Sequence, residues 1–419
     1  MQRRVFVRNG ALALVTLGLS PSFLRRAAYA AALGGGRKGR VLICLFQRGA
    51  ADGLNMVVPF GESAYYAARP TIAVPPPTRG TEDAALDLDG FFGLHPALRP
   101  LERLYRDGLL APIHAVGSPS ATRSHFDAQD YMESGTPDRK STPDGWLNRY
   151  LAVKGTCEEC RTRPASPFRA VAMTPQTPRI LEGPEPVIAM NSLGEFAVRG
   201  GDTTVERLEA LYRGGDADLV HAAGREMFEA VKLLRAANPQ RYLPENGAQY
   251  PRSPFGQRLM EIAQLIKADV GLELAFADVG GWDTHVNQGG ATGQLAQRLR
   301  DFGQAIAALV TDLGDRMEDV VIVTMSEFGR MVRQNGNGGT DHGHAGAMFV
   351  IGGRVRGGQV YGKWPGLERE QLFEGRDLAL TTDFRSVCTE VLAKHMEAQE
   401  LGTIFPGFEA RRLDWLGLI

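Results

Sequence analysis

The chain has 419 residues, of which 43% are hydrophobic and 23% charged, as expected for a globular protein with a large core. Its formal net charge is −1, and removing residues 1–30, with five arginines and no acid, would leave −6, which argues against nucleic acid as a partner. The 50 glycines and 24 prolines predict long, shaped loops.

Residues 1–30 have the pattern of a twin-arginine export signal. Arg3 and Arg4 precede an apolar run over residues 11–19, and Ala28-Tyr29-Ala30 suits signal peptidase. A retained membrane anchor is the weaker alternative, because the run is shorter than the roughly 20 residues that span a bilayer. The sequence therefore predicts export to the periplasm or cell envelope. It also predicts a single domain over residues 31–419, without a transmembrane segment.

Apolar strands alternate with amphipathic helices along the chain, which predicts an α/β fold with a mostly parallel central sheet and helices on both faces. The predicted strands are 41–46, 109–116, 272–277, 320–325 and 347–352. The predicted helices are 95–107, 203–237 with breaks, 253–268, a helix with its apolar stripe over 295–313, and 383–395. The Pro-rich stretch 154–186 is expected to wrap the outside.

The four cysteines do not form a disulfide scaffold. Cys44 and Cys388 lie in a predicted strand and a predicted helix, where they serve as small core residues. Cys157 and Cys160 are the one close pair, and they suit a local disulfide or free thiols better than half of a zinc site, since no second pair completes four ligands.

Carboxylates and histidines follow the predicted strands at the points where they end. Ligands bind beyond the carboxyl ends of parallel strands, so these side chains are expected to share one pocket. Mixed carboxylate and imidazole ligands favour zinc first, then manganese or iron, over calcium. Solvated turns and backbone-bonded acids are the alternative explanation. The predicted metal ligands are Asp52, Asp283, His285, Glu327, Asp341, His342 and His344.

Ser124 has two interpretations. With Asp127 three residues later it resembles a helix cap, but at a helix N-terminus near a metal it could also be a nucleophile. Arg123 could hold an anionic substrate, and His125 could be a ligand, a base or a surface residue. An ion pair between Glu327 and Arg330 is also possible. The remaining histidines are interpreted as structural: His95, His114, His221 and His395.

Five segments resemble the exported family catalogued as domain of unknown function 1501, which is itself similar to the alkaline phosphatase and sulfatase superfamily: 46–55, 123–131, 280–285, 326–330 and 340–346. The resemblance implies two metals around an ester phosphate or sulfate. It implies Asp52 as the first acid, Ser124 at the nucleophile position, and Asp283 with His285 as the middle pair.

The last elements of the resemblance align in two ways. Either Asp341-His342 is the final Asp-His pair, or Glu327-Phe328 takes that place and His342 or His344 is the last histidine. The second alignment puts a phenylalanine where a ligand is expected.

These observations predict an exported metal-dependent hydrolase acting on a small anionic ester or another envelope component. Phosphate is expected before sulfate, because the cysteine-containing nucleophile motif of sulfatases is absent. The alternative is a catalytically degenerate protein of the same fold that binds a metal or an envelope glycan.

Overall fold

The computed structural model describes residues 39–155, 166–194, 242–409 and 414–419. In these ranges the strands, in chain order, are β1 (Val41–Gln47), β2 (Val57–Val58), β3 (Leu86–Asp87), β4 (Gly93–Leu94), β5 (Leu110–Gly117), β6 (Ala170–Ala172), β7 (Ile188–Ala189), β8 (Leu274–Val279), β9 (Val320–Met325), β10 (Gly346–Gly352) and β11 (Thr382–Asp383). The α-helices are α1 (Gly53–Met56), α2 (Ser63–Ala68), α3 (Arg99–Arg106), α4 (His125–Ser134), α5 (Trp146–Gly155), α6 (Pro254–Lys267), α7 (Gln294–Leu313), α8 (Phe384–Lys394) and α9 (Leu401–Ile404).

Eight strands form one sheet, in the spatial order β11-β5-β10-β9-β1-β8-β6-β7, which confirms the mostly parallel α/β prediction. Strand β10 alone is reversed, since it pairs antiparallel with both β5 and β9 while the other pairs are parallel. The start of β10 therefore lies at the same edge as the carboxyl ends of β1, β5, β8 and β9. The loops that follow those four strands meet along this edge, and the one after β9 leads into β10.

Alternate side chains of the sheet enter two different cores. In β1, Ile43 and Leu45 belong to one apolar cluster, and Cys44 and Phe46 belong to the other. Helices α3, α6 and α7 contribute to the first cluster, and α5 and α8 to the second. The six apolar residues predicted to form the stripe of α7 are all buried. Helices thus cover both faces of the sheet, as its apolar strands require.

Two expectations from the sequence need correction. The stretch 154–186 does not simply wrap the outside, because residues 170–172 form the buried strand β6 between β8 and β7. The predicted helix 95–107 begins with a 3-10 turn over Pro96–Leu98, and α3 follows it. The predicted export signal, the pair Cys157 and Cys160, the helical region 203–237 and His221 lie outside the described residues. None of the helices that the structure describes is long and apolar enough to cross a membrane.

Three buried histidines predict how stability depends on pH. Burial lowers the pKa of His95, His114 and His395 to about 4, because it penalises the charged ring. In the unfolded chain a histidine titrates near pH 6.5, so the folded state loses stability as the pH falls from about 6.5 to 4. Between pH 7 and pH 5 we expect a loss of about 1–2 kcal/mol per histidine in urea unfolding. The variant His114→Gln should lose less stability between pH 7 and pH 5, by the contribution of one histidine. An unchanged pH dependence in that variant would contradict the lowered pKa of His114.

Candidate metal centre

Four side chains converge at the edge of the sheet where the loops meet. His125 is the first residue of α4, in the connection that follows β5. Asp283 and His285 lie in the loop after β8, and His342 lies in the loop between β9 and β10. Because β10 is antiparallel to β9, the loop between them begins and ends at the same edge of the sheet. His342 therefore lies beside the other three side chains.

His342 lies at the centre of this set. Its Nε2 atom is 3.0 Å from Nε2 of His125, 3.0 Å from Nε2 of His285 and 3.2 Å from Oδ1 of Asp283. Asp283 Oδ1 is also 3.0 Å from His285 Nε2. Two ligands bound at about 2.0–2.1 Å to one ion, at angles of about 90–110°, lie about 2.9–3.4 Å apart. The separations are therefore those of neighbouring ligands, and the ligand atoms of His125, Asp283 and His342 all lie within 4.8 Å of one another.

The other nitrogen of each ring is hydrogen-bonded to an oxygen. Nδ1 of His125 lies 2.8 Å from Glu327 Oε1, and Nδ1 of His285 lies 3.1 Å from Asp341 Oδ1. Nδ1 of His342 lies 2.9 Å from the main-chain oxygen of Arg123. Ionised carboxylates and carbonyls only accept, so each Nδ1 donates and each neutral ring presents its Nε2 lone pair. The lone pairs converge on an anionic carboxylate, so a positive charge among them would be favourable. The chemistry of the set fits a metal ion with carboxylate-oriented histidines.

The carboxylates around the rings favour a cation. Burial raises the pKa of Glu327, but hydrogen bonds from His125 and Gln129 outweigh it and lower the pKa overall. Burial likewise opposes, but does not cancel, the lowering of the pKa of Asp283 by Arg330. The pKa of Asp341 is lowered chiefly by a hydrogen bond from the Asn335 amide. All three acids are thus anionic at neutral pH.

A buried arginine holds the loops of the site together. The Arg330 guanidinium donates to the main-chain oxygens of Gly49, Ala50, Trp282 and Thr340, at 2.7–3.0 Å, and to the Asp283 carboxylate at 2.6 Å. These partners lie on the loops after β1 and β8 and on the loop that enters β10. The sequence left open an ion pair between Glu327 and Arg330. In the structure Arg330 pairs with Asp283, and Glu327 pairs with His125.

Main-chain packing at the site depends on small residues. Gly49 has φ +116°, and a Cβ atom there would lie 2.7 Å from the Asp283 nitrogen. Ala50 also has a positive φ, 61°, an uncommon conformation for a residue with a side chain. A Cβ at Gly343 would lie 2.4 Å from the carbonyl carbon of Arg330. The loops that carry the ligands thus pack backbone against backbone.

Two predicted ligands, Asp52 and His344, contact other partners instead of the converging rings. Asp52 is fully buried, and its carboxylate accepts from Arg69 and Gln288, each at 2.6 Å. The ring of His344 stacks on Phe373 at 4.2 Å. The structure brings together Asp283, His285 and His342 as predicted, and it places Glu327 and Asp341 one layer further out, on the Nδ1 atoms of two of the rings.

The two predicted catalytic residues directly precede His125, one of the four converging side chains. The Arg123 guanidinium contacts Asp377 at 2.6 Å and Glu374 at 2.7 Å, while its main-chain oxygen holds His342. Ser124 is the N-cap residue of α4, as its cap interpretation predicted, but its side chain makes no capping hydrogen bond. Ser124 thus lies between Arg123, whose main-chain oxygen contacts His342, and His125. Its hydroxyl makes no hydrogen bond to the first turn of the helix.

Sequence reasoning left His125 undecided. The sequence did indicate that this histidine lies at the start of a helix, in the connection after a predicted strand. That position is equally typical of a surface residue. Phe328 packs its ring 5.0 Å from the rings of both His125 and His342. Phe328 is therefore apolar support for the site, although one alignment put a ligand at its position.

Fold and site together define a mostly parallel α/β protein with a candidate metal centre at the edge where the ligand-bearing loops meet. The chain belongs to the family described as "Protein of unknown function (DUF1501)", which matches residues 113–403, more than half of its length. The match includes all four converging side chains, while β1 and Asp52 lie outside it. No curated protein matches the chain.

Replacing Arg330 with lysine should destabilise the fold. Lysine keeps the charge but leaves several buried oxygens without donors, so we expect a loss of about 3–5 kcal/mol in the free energy of unfolding measured with urea. Arg103→Lys is the matched control, because Arg103 is exposed and makes a surface pair with Asp107 worth at most about 1 kcal/mol. Equal stability of the two variants would show that Arg330 does not hold the loops.

Glu327→Gln and Asp341→Asn should weaken metal binding without removing a converging ligand. Each change replaces a carboxylate that fixes a ring through Nδ1, and losses of this kind cost about 10–100-fold in affinity. Competition with a chelator for zinc or manganese measures the effect. The control is Glu370→Gln, an exposed acid on a short 3-10 turn. An unchanged affinity in both test variants would refute the orienting role.

Proposed function

We propose that this chain is an exported, metal-dependent hydrolase of anionic esters, phosphate before sulfate. The observation that carries the proposal is the convergence of imidazole nitrogens whose opposite Nδ1 atoms are each held by an oxygen. His125, Asp283 and His342 would hold one divalent ion, zinc before manganese or iron, with His285 beside them. Carboxylate and imidazole ligands fit each of these metals.

A bound ion would polarise the ester and favour ionisation of a nearby hydroxyl. Ser124 is the candidate nucleophile, because it is flanked by the main-chain oxygen that holds His342 and by His125 itself. The N-terminus of the ten-residue helix α4 favours negative charge developing at this position. Arg123 is anchored by the buried Asp377, and an anionic substrate would compete with the exposed Glu374 for its guanidinium.

Export and the alkaline phosphatase-like fold are part of the same proposal. Arg3, Arg4 and the apolar run behind them support the twin-arginine route to the periplasm or cell envelope. The mostly parallel sheet, with ligands at the edge where its strands end, supports the fold resemblance. The pairing of Asp52 with Arg69 favours one metal over the two that the resemblance implies.

A second candidate is a degenerate relative that binds a metal or an envelope glycan without turnover. Phe328 favours it, since an apolar ring packs against two of the histidines at a position where one alignment expects a ligand. The ion pairs of Arg123 with Glu374 and Asp377 also favour this candidate, because they already neutralise the guanidinium that would bind an anionic substrate.

Elemental analysis of protein purified from its own cell, combined with turnover of p-nitrophenyl phosphate and sulfate, tests the proposal. We expect about one divalent ion per chain in the wild type, and loss of both the ion and turnover in Asp283→Ala. Ser124→Ala should keep the ion and lose turnover by about 100-fold or more. Asp315→Ala, an exposed acid on the turn before β9, is the control.

Each outcome separates the candidates. Unchanged metal content and turnover in Asp283→Ala would overturn the hydrolase. A bound ion with no turnover of either ester, and no esterified Ser124, would favour the degenerate relative. A Ser124→Ala variant as active as the wild type would leave a hydrolase with a different nucleophile.

A further inference from the structure

A buried glutamine connects the two loops that carry three of the four converging side chains. The side-chain oxygen of Gln288 accepts from the hydroxyls of Thr284 and Thr340, each at 2.8 Å. Thr284 directly follows Asp283, in the loop after β8. Thr340 lies two residues before His342, in the loop between β9 and β10. One carbonyl oxygen thus joins the two loops behind the site.

The direction of the Gln288 amide is fixed by Asp52. Its Nε2 donates to Oδ2 of Asp52 at 2.6 Å, and the same oxygen accepts from Arg69 at 2.6 Å. A carboxylate only accepts, so the amide nitrogen faces Asp52 and the carbonyl faces the two threonines. Gln288 and Asp52 are both 0% exposed, and a buried polar group is costly unless it is paired. Reversing the amide would place its oxygen against the carboxylate, so the observed direction is strongly favoured.

The main chains of the two loops also pack against each other here. The Thr340 nitrogen donates to the Thr284 oxygen at 3.1 Å. A Cβ atom at Gly339 would lie 2.3 Å from the carbonyl carbon of His285. Close to this contact, Nδ1 of His285 lies 3.1 Å from Oδ1 of Asp341. The relative position of the two loops therefore decides whether His285 reaches the carboxylate that orients its ring.

Resting on the proposed function, we infer that Gln288 is a positioning residue for the metal centre. Its carbonyl holds the loop with Asp283 and His285 against the loop with His342, at the separation where their side chains share one ion. Gln288 acts through Thr284 and Thr340, and not by contact with the ion. Removing its hydrogen bonds weakens metal binding although every converging side chain remains.

Zinc affinity, measured by competition with a chelator, tests the inference. The double variant Thr284→Val, Thr340→Val keeps the shape of both side chains but removes both hydroxyls, and we expect about tenfold weaker zinc binding. The double variant Thr284→Ser, Thr340→Ser keeps the hydroxyls and should bind zinc as tightly as the wild type. A role in packing alone would give the opposite order, because serine lacks the buried methyl groups that valine retains.

Tyr65→Phe is the control for a general loss of stability. The Tyr65 hydroxyl donates to Asn55 at 2.8 Å, and Asn55 also accepts from Arg69, the partner of Asp52. The variant loses a buried hydrogen bond on the Arg69 branch of the same network. It should lower the free energy of unfolding in urea and leave zinc affinity unchanged.

Four results would refute the inference. Wild-type affinity in the valine variant would show that the hydrogen bonds to Gln288 do not position the site. An equal loss in the serine variant would assign the effect to packing, and an equal loss in Tyr65→Phe would assign it to stability. These three results leave the proposed hydrolase intact. If the wild type bound no zinc, the proposed function would fail together with the inference.

Discussion

The site depends on one buried cation, the guanidinium of Arg330. A charge buried among apolar strands is costly unless its donors are all paired, and Arg330 satisfies its donors with four main-chain oxygens and the Asp283 carboxylate. Those oxygens lie on three separate loops, so one side chain links the segments that carry the converging residues. The same bonds hold Ala50 in its left-handed conformation and direct Asp283 towards the histidines.

A second constraint acts on the rings themselves. An imidazole can turn about its side-chain bonds, and an oxygen on Nδ1 removes that freedom while leaving Nε2 available. Glu327 and Asp341 do this for two rings, and a main-chain oxygen does it for the third. Glu327 is itself fixed by the Gly49 amide, so the layer behind the ligands is linked to the loops that Arg330 holds.

The sequence predicted much of this fold and part of the site. Apolar runs and helical periodicity located the longer central strands and α7, because burial on both faces leaves a strong pattern. The sequence missed the six strands of two or three residues, since such short pairings leave no pattern of their own: β2, β3, β4, β6, β7 and β11. The rule that ligands collect at strand ends brought Asp283, His285 and His342 together. The rule could not distinguish the converging side chains from Glu327 and Asp341, which contact the Nδ1 atoms of two rings. That distinction depends on side-chain geometry, which the sequence does not give. No feature of the sequence indicated that Asp52 would pair with Arg69, the residue that directly follows α2.

The wide spacing of the ligands along the chain has a consequence for biogenesis. His125 and His342 are 217 positions apart, and Asp283 lies between them. Strand β10 must be synthesised before it can pair with β9. Only that pairing fixes the loop that places His342 beside the other three side chains. The four side chains converge only after that step, so any ion bound there would bind late, once β9 and β10 have paired.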